Sequence, residues 1–539
     1  MKKITAVLLF LLLVLSLAAG CQTGDKDTTT SPSPTATASA EPTGEPTEGG
    51  DDDGKLSLPL VDEKTTFSGW ITSSAIVTQL YTELNDNPVF KELEEKTNIH
   101  IDWRHPAEGG ETEALNLMFT SNEFTDIIVT LDPTYYVGGF DKFIDDGIIH
   151  DLKDLVNNYA PNFLNTIKKD ETVYKQLHTD TGHLPAFRMM LTDRQLCYLG
   201  YYARQDLMDA AGYTKTPTTY DDFHEMLTAL KGSTSKQPLY LFEDILIPGY
   251  GVNSNFTQVD GKVVFGPITD EYRAYLEMVA QWYSEGLIDA DFMTRRHFFL
   301  DFGEFLNESF AVYPMTVAFY DVFVANGLDI KVLPYTKLNE GDKRYINSGS
   351  AETTLQGSTA TITTDCDDPV LMTKWFDYLF TEEGSLLGSY GIEGQAHTIV
   401  DGKPVFTDLI MNNPDNLTPG DAKNAYAFPM LMPFLVMTER EVDTFSEGAV
   451  KATELWDSDW DIANSRTLQG DLTADESFEF TSKYLDIETF VSEFKAHVIA
   501  GQKQITDETW NEYLNEIKGM GIDRCIELKQ EALDRYNNR

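Results

Sequence analysis

Thr65-Thr66-Phe67-Ser68-Gly69-Trp70-Ile71, Ile99-His100-Ile101-Asp102-Trp103 and Asp126-Ile127-Ile128-Val129-Thr130-Leu131 are three short apolar runs separated by two helical patterns. The first run reads as a strand. In the second, Ile99, Ile101 and Trp103 alternate with polar residues, the mark of a half-buried strand. The third is continuous and apolar, ending at Asp132-Pro133. Between the first two, Asn87-Pro88 opens a helix with proline in its first turn, and Phe90, Leu93 and Lys96 follow at helical spacing. Between the second and third, Thr112 to Phe119 predicts another helix. Strand, helix, strand, helix, strand at this spacing implies right-handed crossovers and a mostly parallel sheet covered on both faces. The fold class is α/β.

Upstream, Lys2 and Lys3 precede an almost unbroken apolar run from Ile4 to Leu17, which leads through Ala18-Ala19-Gly20 to Cys21. A run this short, basic before and small after, reads as a secretory signal over residues 1–20 rather than a spanning helix. Leu17-Ala18-Ala19-Gly20-Cys21 resembles the lipobox of bacterial lipoproteins, which implies acylation of the Cys21 thiol. Each buried acyl methylene holds the chain to the bilayer by about 0.8 kcal/mol. An ordinary secretory signal with an incidental cysteine is the alternative. Residues 21–54 are rich in Thr, Ser, Pro, Ala, Glu and Gly, too polar to bury a core, and predict a disordered linker. The body should therefore work on the outer face of the cell membrane, tethered by lipid as in Gram-positive cells.

A chain of 539 residues exceeds one compact core, so two lobes are expected. With 41 basic against 87 acidic residues, the net charge of -46 argues against nucleic acid and anionic lipid as partners. The four cysteines leave three after acylation, an odd number that speaks against a disulfide scaffold. No later apolar run reaches the roughly 20 residues a spanning helix needs. Phe428 to Met437 is the greasiest, but Pro429 and Pro433 interrupt it.

Further along, Cys197 to Tyr202 opens a second lobe. Thr219 caps a helix whose Tyr220, Phe223, Leu227 and Leu230 share a face, and Thr269 caps one carrying Tyr272, Leu276, Val279 and Tyr283 to Gly286. A third begins at Asp368-Pro369 and carries Leu371, Trp375, Tyr378 and Leu379. Trp510, Tyr513, Leu514 and Ile517 form a later apolar face; Cys525 lies on another, as a core residue.

Several segments resemble the extracellular solute-binding proteins of bacterial ABC importers, and within them the large lipoproteins that bind oligosaccharides. They are Tyr202-Ala203-Arg204-Gln205-Asp206-Leu207 followed by Pro217-Thr218-Thr219; Tyr283-Ser284-Glu285-Gly286-Leu287-Ile288-Asp289; and Trp375-Phe376-Asp377-Tyr378-Leu379-Phe380-Thr381-Glu382-Glu383-Gly384 with Tyr390-Gly391-Ile392-Glu393-Gly394. Gly519-Met520-Gly521 and Asp534-Arg535-Tyr536 complete the set. The resemblance implies a two-lobed clamp of the maltose-binding type, with one lobe from 55–190 and 350–400 and the other from 191–349 and 401–539. It implies a monomeric receptor for a carbohydrate, with permease subunits as partners and no cofactor. Some of these proteins hold calcium in an acidic loop; the matching Gly232-Ser233-Thr234-Ser235-Lys236-Gln237-Pro238 lacks carboxylates, so no metal is expected there. The nine histidines show no metal-ligand spacing; His100/His105 and His178/His183 read as surface pairs.

Ligands of open α/β sheets sit at the carboxyl ends of the strands. Sugars present apolar C–H faces and hydroxyl rims, so a binder needs flat aromatics beside short polar groups. The loop after the first strand offers Trp70, Thr72 and Ser73; the loop after Leu131 offers Asp132, Tyr135 and Tyr136. Arg188, Arg204, Asp321 and Glu352 are candidate hydroxyl readers, with Arg204 also placed to pair with Asp206. Tyr250, Tyr320, Tyr390, Trp456 and Trp460 are candidate platforms, and Glu393 joins Tyr390 on the family-like segment. Trp282 and Trp375 lie on amphipathic stripes and read as core. A secreted glycoside hydrolase would need a carboxyl pair at ~5–10 Å that nothing here singles out, and no nucleophile elbow, zinc motif or phosphate loop is present. A receptor for peptides or another non-sugar solute would use the same aromatics.

Overall fold

The computed structural model describes residues 56–539 except 73–80, 82, 107–109, 132, 134, 135, 137, 235, 296, 308, 348, 350 and 351. The signal, Cys21, the linker, Ser73, Asp132 and Tyr135 lie outside the described residues.

The opening pattern folds as the spacing predicts: β1 (Thr65–Trp70), α1 (Pro88–Thr97), β2 (Ile99–Arg104), α2 (Glu111–Ser121) and β3 (Ile127–Val129). Asn87 caps α1 by accepting the Val89 N–H, with Pro88 at the first helical position, where a missing N–H costs nothing. Four short helices lead to β4 (Phe187–Leu191) among the described residues. The chain then crosses to β5 (Leu199–Arg204), α3 (Tyr220–Ser233), β6 (Gln237–Leu239), α4 (Asp270–Ser284), β7 (Phe310–Thr316) and β8 (Ile330–Val332). It returns through β9 (Leu355–Ile362), α5 (Pro369–Tyr378), α6 (Glu382–Tyr390) and β10 (Leu435–Val436), and ends in α7 (Glu447–Asp457), α8 (Ala474–Ile499), α9 (Asp507–Met520) and α10 (Ile522–Asn538). Thr219, Thr269 and Asp368 cap α3, α4 and α5 as expected, each accepting a first-turn N–H.

Two sheets organise two lobes. One has six strands in the order β10-β4-β9-β3-β1-β2, the other four in the order β8-β5-β7-β6. The first is mostly parallel, as the spacing predicts, with β9 alone running against the other five strands. β1 runs parallel to β2 and β3, but β9 is antiparallel to both β3 and β4. The cause is topological: β9 enters the sheet after the chain has visited the other lobe, and arrives from the opposite end.

Each sheet has its own core. Ile127, Phe187, Met372, Trp375, Phe376 and Phe434 belong to one, while Tyr202, Phe223, Leu276, Trp282, Tyr313 and Tyr513 belong to the other. Residues 401–437 depart from the expected division. Phe428, Met432, Phe434 and Val436 pack in the first lobe's core, and β10 pairs with β4. The passage between lobes thus runs at about 438–446 rather than at 400. There Thr438 braces the first crossover: its Oγ1 accepts the Asp193 N–H at 2.8 Å, and its N–H donates to Thr192 Oγ1 at 3.0 Å. Cys197, Cys366 and Cys525 are buried, and none of them forms a disulfide among the described residues.

Candidate functional site

Three cavities meet at Arg188, on β4. The largest, about 680 Å³, is lined from the first lobe by Tyr136, Phe140 and Gln176, and from the second by Ser477, Phe478 and Lys529. A second, about 490 Å³, runs over Thr130, Leu131, Thr359 and Met430. A third, about 370 Å³, is bounded by Asn347, Glu352, Trp460, Gln469 and Arg539. The cleft lies at the carboxyl end of β3, where open α/β sheets place ligands.

Local structure fixes each wall. Thr130, just past β3, adopts φ 65°, a left-handed conformation that β-branched residues rarely enter. It is held there by its N–H to Thr359 O at 2.7 Å and by a 3.0 Å hydroxyl contact with Thr72. Such a conformation persists only where the surroundings enforce it. Tyr136 stacks on Phe143, centroids 4.6 Å apart, and its hydroxyl donates to Asp146 at 2.6 Å, a bond that raises the phenol's pKa. From the other lobe, α8 turns Ser477, Phe478, Thr481, Ser482 and Leu485 toward the cavity. Their i, i+1, i+4, i+5, i+8 spacing makes one helical face. Ile487, Val491, Phe494 and Val498 form the opposite, buried face. Phe478 is 70 % exposed, an open apolar ring among the side chains lining this cavity.

Trp460 is set by a charge network at the crossover. Arg194 lies over its ring at 5.3 Å and grips Asp457 with two bonds, Nη1 to Oδ1 at 3.0 Å and Nη2 to Oδ2 at 2.6 Å. Next to it, Asp459 accepts from Lys337 at 2.6 Å and from the wholly buried Arg344 at 3.0 Å. Burial disfavours the Asp459 carboxylate, but Arg344 and Lys337 together hold its pKa below the usual value. Glu352 accepts from the Ser465 hydroxyl.

Of the residues expected from sequence, Tyr136, Arg188, Glu352 and Trp460 line these cavities. The others that are described sit elsewhere, for identifiable reasons. Trp70 is packed under the cleft with Leu115, Ile128, Leu131 and Phe143. Arg204 is buried and forks onto Asp206, at 2.9 and 2.7 Å. Tyr250 stacks on Tyr220 and donates to Met278 Sδ in the second lobe. Tyr320 packs near Gly448 and Tyr202, and Asp321 accepts the Ser446 N–H, tying two helix starts together. Tyr390 is buried with its hydroxyl on Asp443 at 2.6 Å, while Glu393 is exposed beside the His397–Val400 hairpin. Trp456 is wholly buried, its indole N–H donating to Leu333 O at 2.9 Å. None of these side chains is among those lining the three cavities.

Sequence reasoning missed Gln176, Phe478, Leu485, Asp471 and Lys529. One signal was available: Phe478 and Leu485, seven residues apart, put apolar groups on the face of α8 opposite its core stripe.

The family model described as bacterial extracellular solute-binding protein matches residues 82–385, more than half of the chain. The chain is 26% identical over 265 residues to the fructooligosaccharide ABC transporter substrate-binding protein FusA of Streptococcus pneumoniae. That match takes in 44% of this chain and 47% of FusA, so the chain spans about half the length of the curated relative it matches. Among solved structures, the calcium-free alginate-binding protein AlgQ2 superposes with a TM-score of 0.68 at 20% identity, covering 88% of this chain and 99% of that one. An extracellular solute-binding protein from Bifidobacterium longum subsp. infantis superposes with a TM-score of 0.70 at 16% identity, covering 88% and 99%. Both share the two-lobed α/β fold. The chain belongs to the bacterial extracellular solute-binding proteins.

Proposed function

We propose that the chain captures a carbohydrate, an oligosaccharide, in the cleft between its lobes and passes it unchanged to the permease of an ABC importer. The observation that carries this reading is the makeup of the largest cavity: an open Phe478 ring beside a row of Ser477, Thr481 and Ser482 hydroxyls. Flat apolar rings match the C–H faces of pyranoses, and hydroxyls fixed on a helix match their rims. The similarity to FusA, named for fructooligosaccharides, supports the same class. Tyr136, Arg188, Glu352 and Trp460 are the proposed contacts from the sequence set, joined by Gln176 and Phe478; Asp132 and Tyr135, read from the sequence alone, complete the proposed set. Ligand touching both lobes favours the shut state over the open one, and the shut state is the form that docks. Acylated Cys21 would hold the receptor at the outer face of the membrane, as a monomer on its linker.

The test is isothermal titration against neutral and acidic oligosaccharides, peptides and small solutes, followed by chromatography of the recovered ligand. Saturable binding of a saccharide that emerges intact is the expected result. Binding confined to peptides, or release of new reducing ends, would overturn it.

A further inference from the structure

In a chain this acidic, buried cations are matched to carboxylates. Arg204 pairs with Asp206, Lys337 and Arg344 with Asp459, and Lys423 and Arg440 with Glu441. Two cations that line the cleft break that pattern. Arg188 makes one hydrogen bond, Nη2 to Gln356 O at 2.8 Å; its Nε is buried without a partner, and among the described residues no carboxylate lies within 4.0 Å of it. Lys529, on the wall of the largest cavity, lies over the Phe480 ring at 4.9 Å and likewise has no ion pair. Among the described residues, Asp471 is the one carboxylate whose charge reaches both, and it is exposed. Among the described residues, the other acids lining this cavity have partners: Asp180 pairs with Arg535 and Arg539, and Asp141 accepts from the Thr181 hydroxyl.

A desolvated cation without a counter-charge is costly, and the cost is removed when an anion arrives with a bound molecule. Burial alone holds both groups below their usual pKa values. Arg188 also stands where the three cavities meet, so a ligand filling any of them passes its guanidinium.

Building on the carbohydrate reading, we propose that the saccharide carries an anionic group, a carboxylate or a sulfate ester, which Arg188 binds with Lys529 in support. A guanidinium fork presents two parallel donors to such a group, and charge-assisted bonds are about twice as strong as neutral ones.

The experiment is a binding screen of the whole chain against three matched sets of oligosaccharides: neutral, uronate-containing and sulfated. Titrations of the hits then use the native chain, Arg188→Met and Arg188→Lys. Hits should fall in one of the two anionic sets, and which set responds identifies the group. Affinity should drop about tenfold or more in Arg188→Met, recover in part in Arg188→Lys, and weaken several-fold as salt rises from about 0.05 to 0.3 M. Tight binding confined to neutral sugars, or an Arg188→Met affinity within about twofold of native, would overturn this proposal and leave carbohydrate capture standing. If Arg188→Met does not fold, the screen and salt series on the native chain decide the matter alone. No binding in any of the three sets would sink both.

Discussion

Asp180, in the first lobe, accepts a hydrogen bond from Arg535 on α10 of the second, Nε to Oδ2 at 2.5 Å. Arg539, at the end of the same helix, reaches the other oxygen of that carboxylate, and Arg535 also forks onto Glu476 at the start of α8. One side chain of one lobe thus sits under two guanidiniums of the other, beside the cavity that both lobes line. Loss of this contact should favour opening of the lobes.

Asp180→Ala leaves two guanidiniums without this partner. Hydrogen bonds to charged groups contribute about 1.5–3 kcal/mol, so ligand affinity should fall by about tenfold, with a larger radius of gyration in solution scattering. Unchanged affinity and size would mean that the latch plays no part in closure.

Trp460 offers its ring to the third cavity, and Arg194 stacks over it while holding Asp457. Trp460→Ala should weaken saccharide binding by about 3–10-fold, the scale of one aromatic platform, with little change in melting temperature. Arg194→Ala should weaken binding less and stability more, because it leaves the partly buried Asp457 without its cationic partner, with the Cys197 N–H as a remaining donor. Titration and thermal melts of the two variants, side by side, check the contrast.

Gly200, in β5, lies against the indole of Trp456. A Cβ at that position would stand 2.1 Å from Trp456 Cε2. Gly200→Ala must therefore displace a ring that is packed edge-on to Tyr202, and should cost about 1–3 kcal/mol in denaturant unfolding. A smaller change would show that the α7 contact is loosely packed.

This pair also shows what could be read in advance and what could not. Trp456 directly precedes Asp457, Ser458 and Asp459, so its sequence setting suggests an exposed loop aromatic, whereas it lies in the last turn of α7. Only the pairing of β5 with α7, far apart in the chain, reveals the space left by Gly200 that the ring fills. Local signals fared better. Asn87, Thr219, Thr269 and Asp368 cap the helices they announce, and the stripes through Trp282 and Trp375 are core. Those features depend on neighbours within a few residues. The cleft draws Arg188, Glu352, Trp460 and Phe478 from distant segments, and β10 is two residues long after Pro433, too brief to leave a pattern.

Asp377 gives a pH prediction. Its carboxylate is buried and accepts Phe163 N–H at 2.8 Å and Asn162 Nδ2 at 2.7 Å, yet burial outweighs these bonds and raises its pKa to about 6. The folded state therefore binds this proton more tightly than the unfolded state, where a carboxyl titrates near ~3.9. Its contribution to stability is greatest below that value and is lost as pH rises through about 6. Relative to Asp377→Asn, which cannot titrate, the native chain should lose stability between about pH 4 and 6. Parallel melting curves in both pH windows test the sign; equal shifts in the two proteins would refute it.

A crystal structure of the chain with a bound oligosaccharide tests the central claim most directly. The saccharide should lie between the lobes, stacked on Phe478 or Trp460 and hydrogen-bonded to Arg188. Density for the sugar outside that cleft, or touching a single lobe, would contradict it.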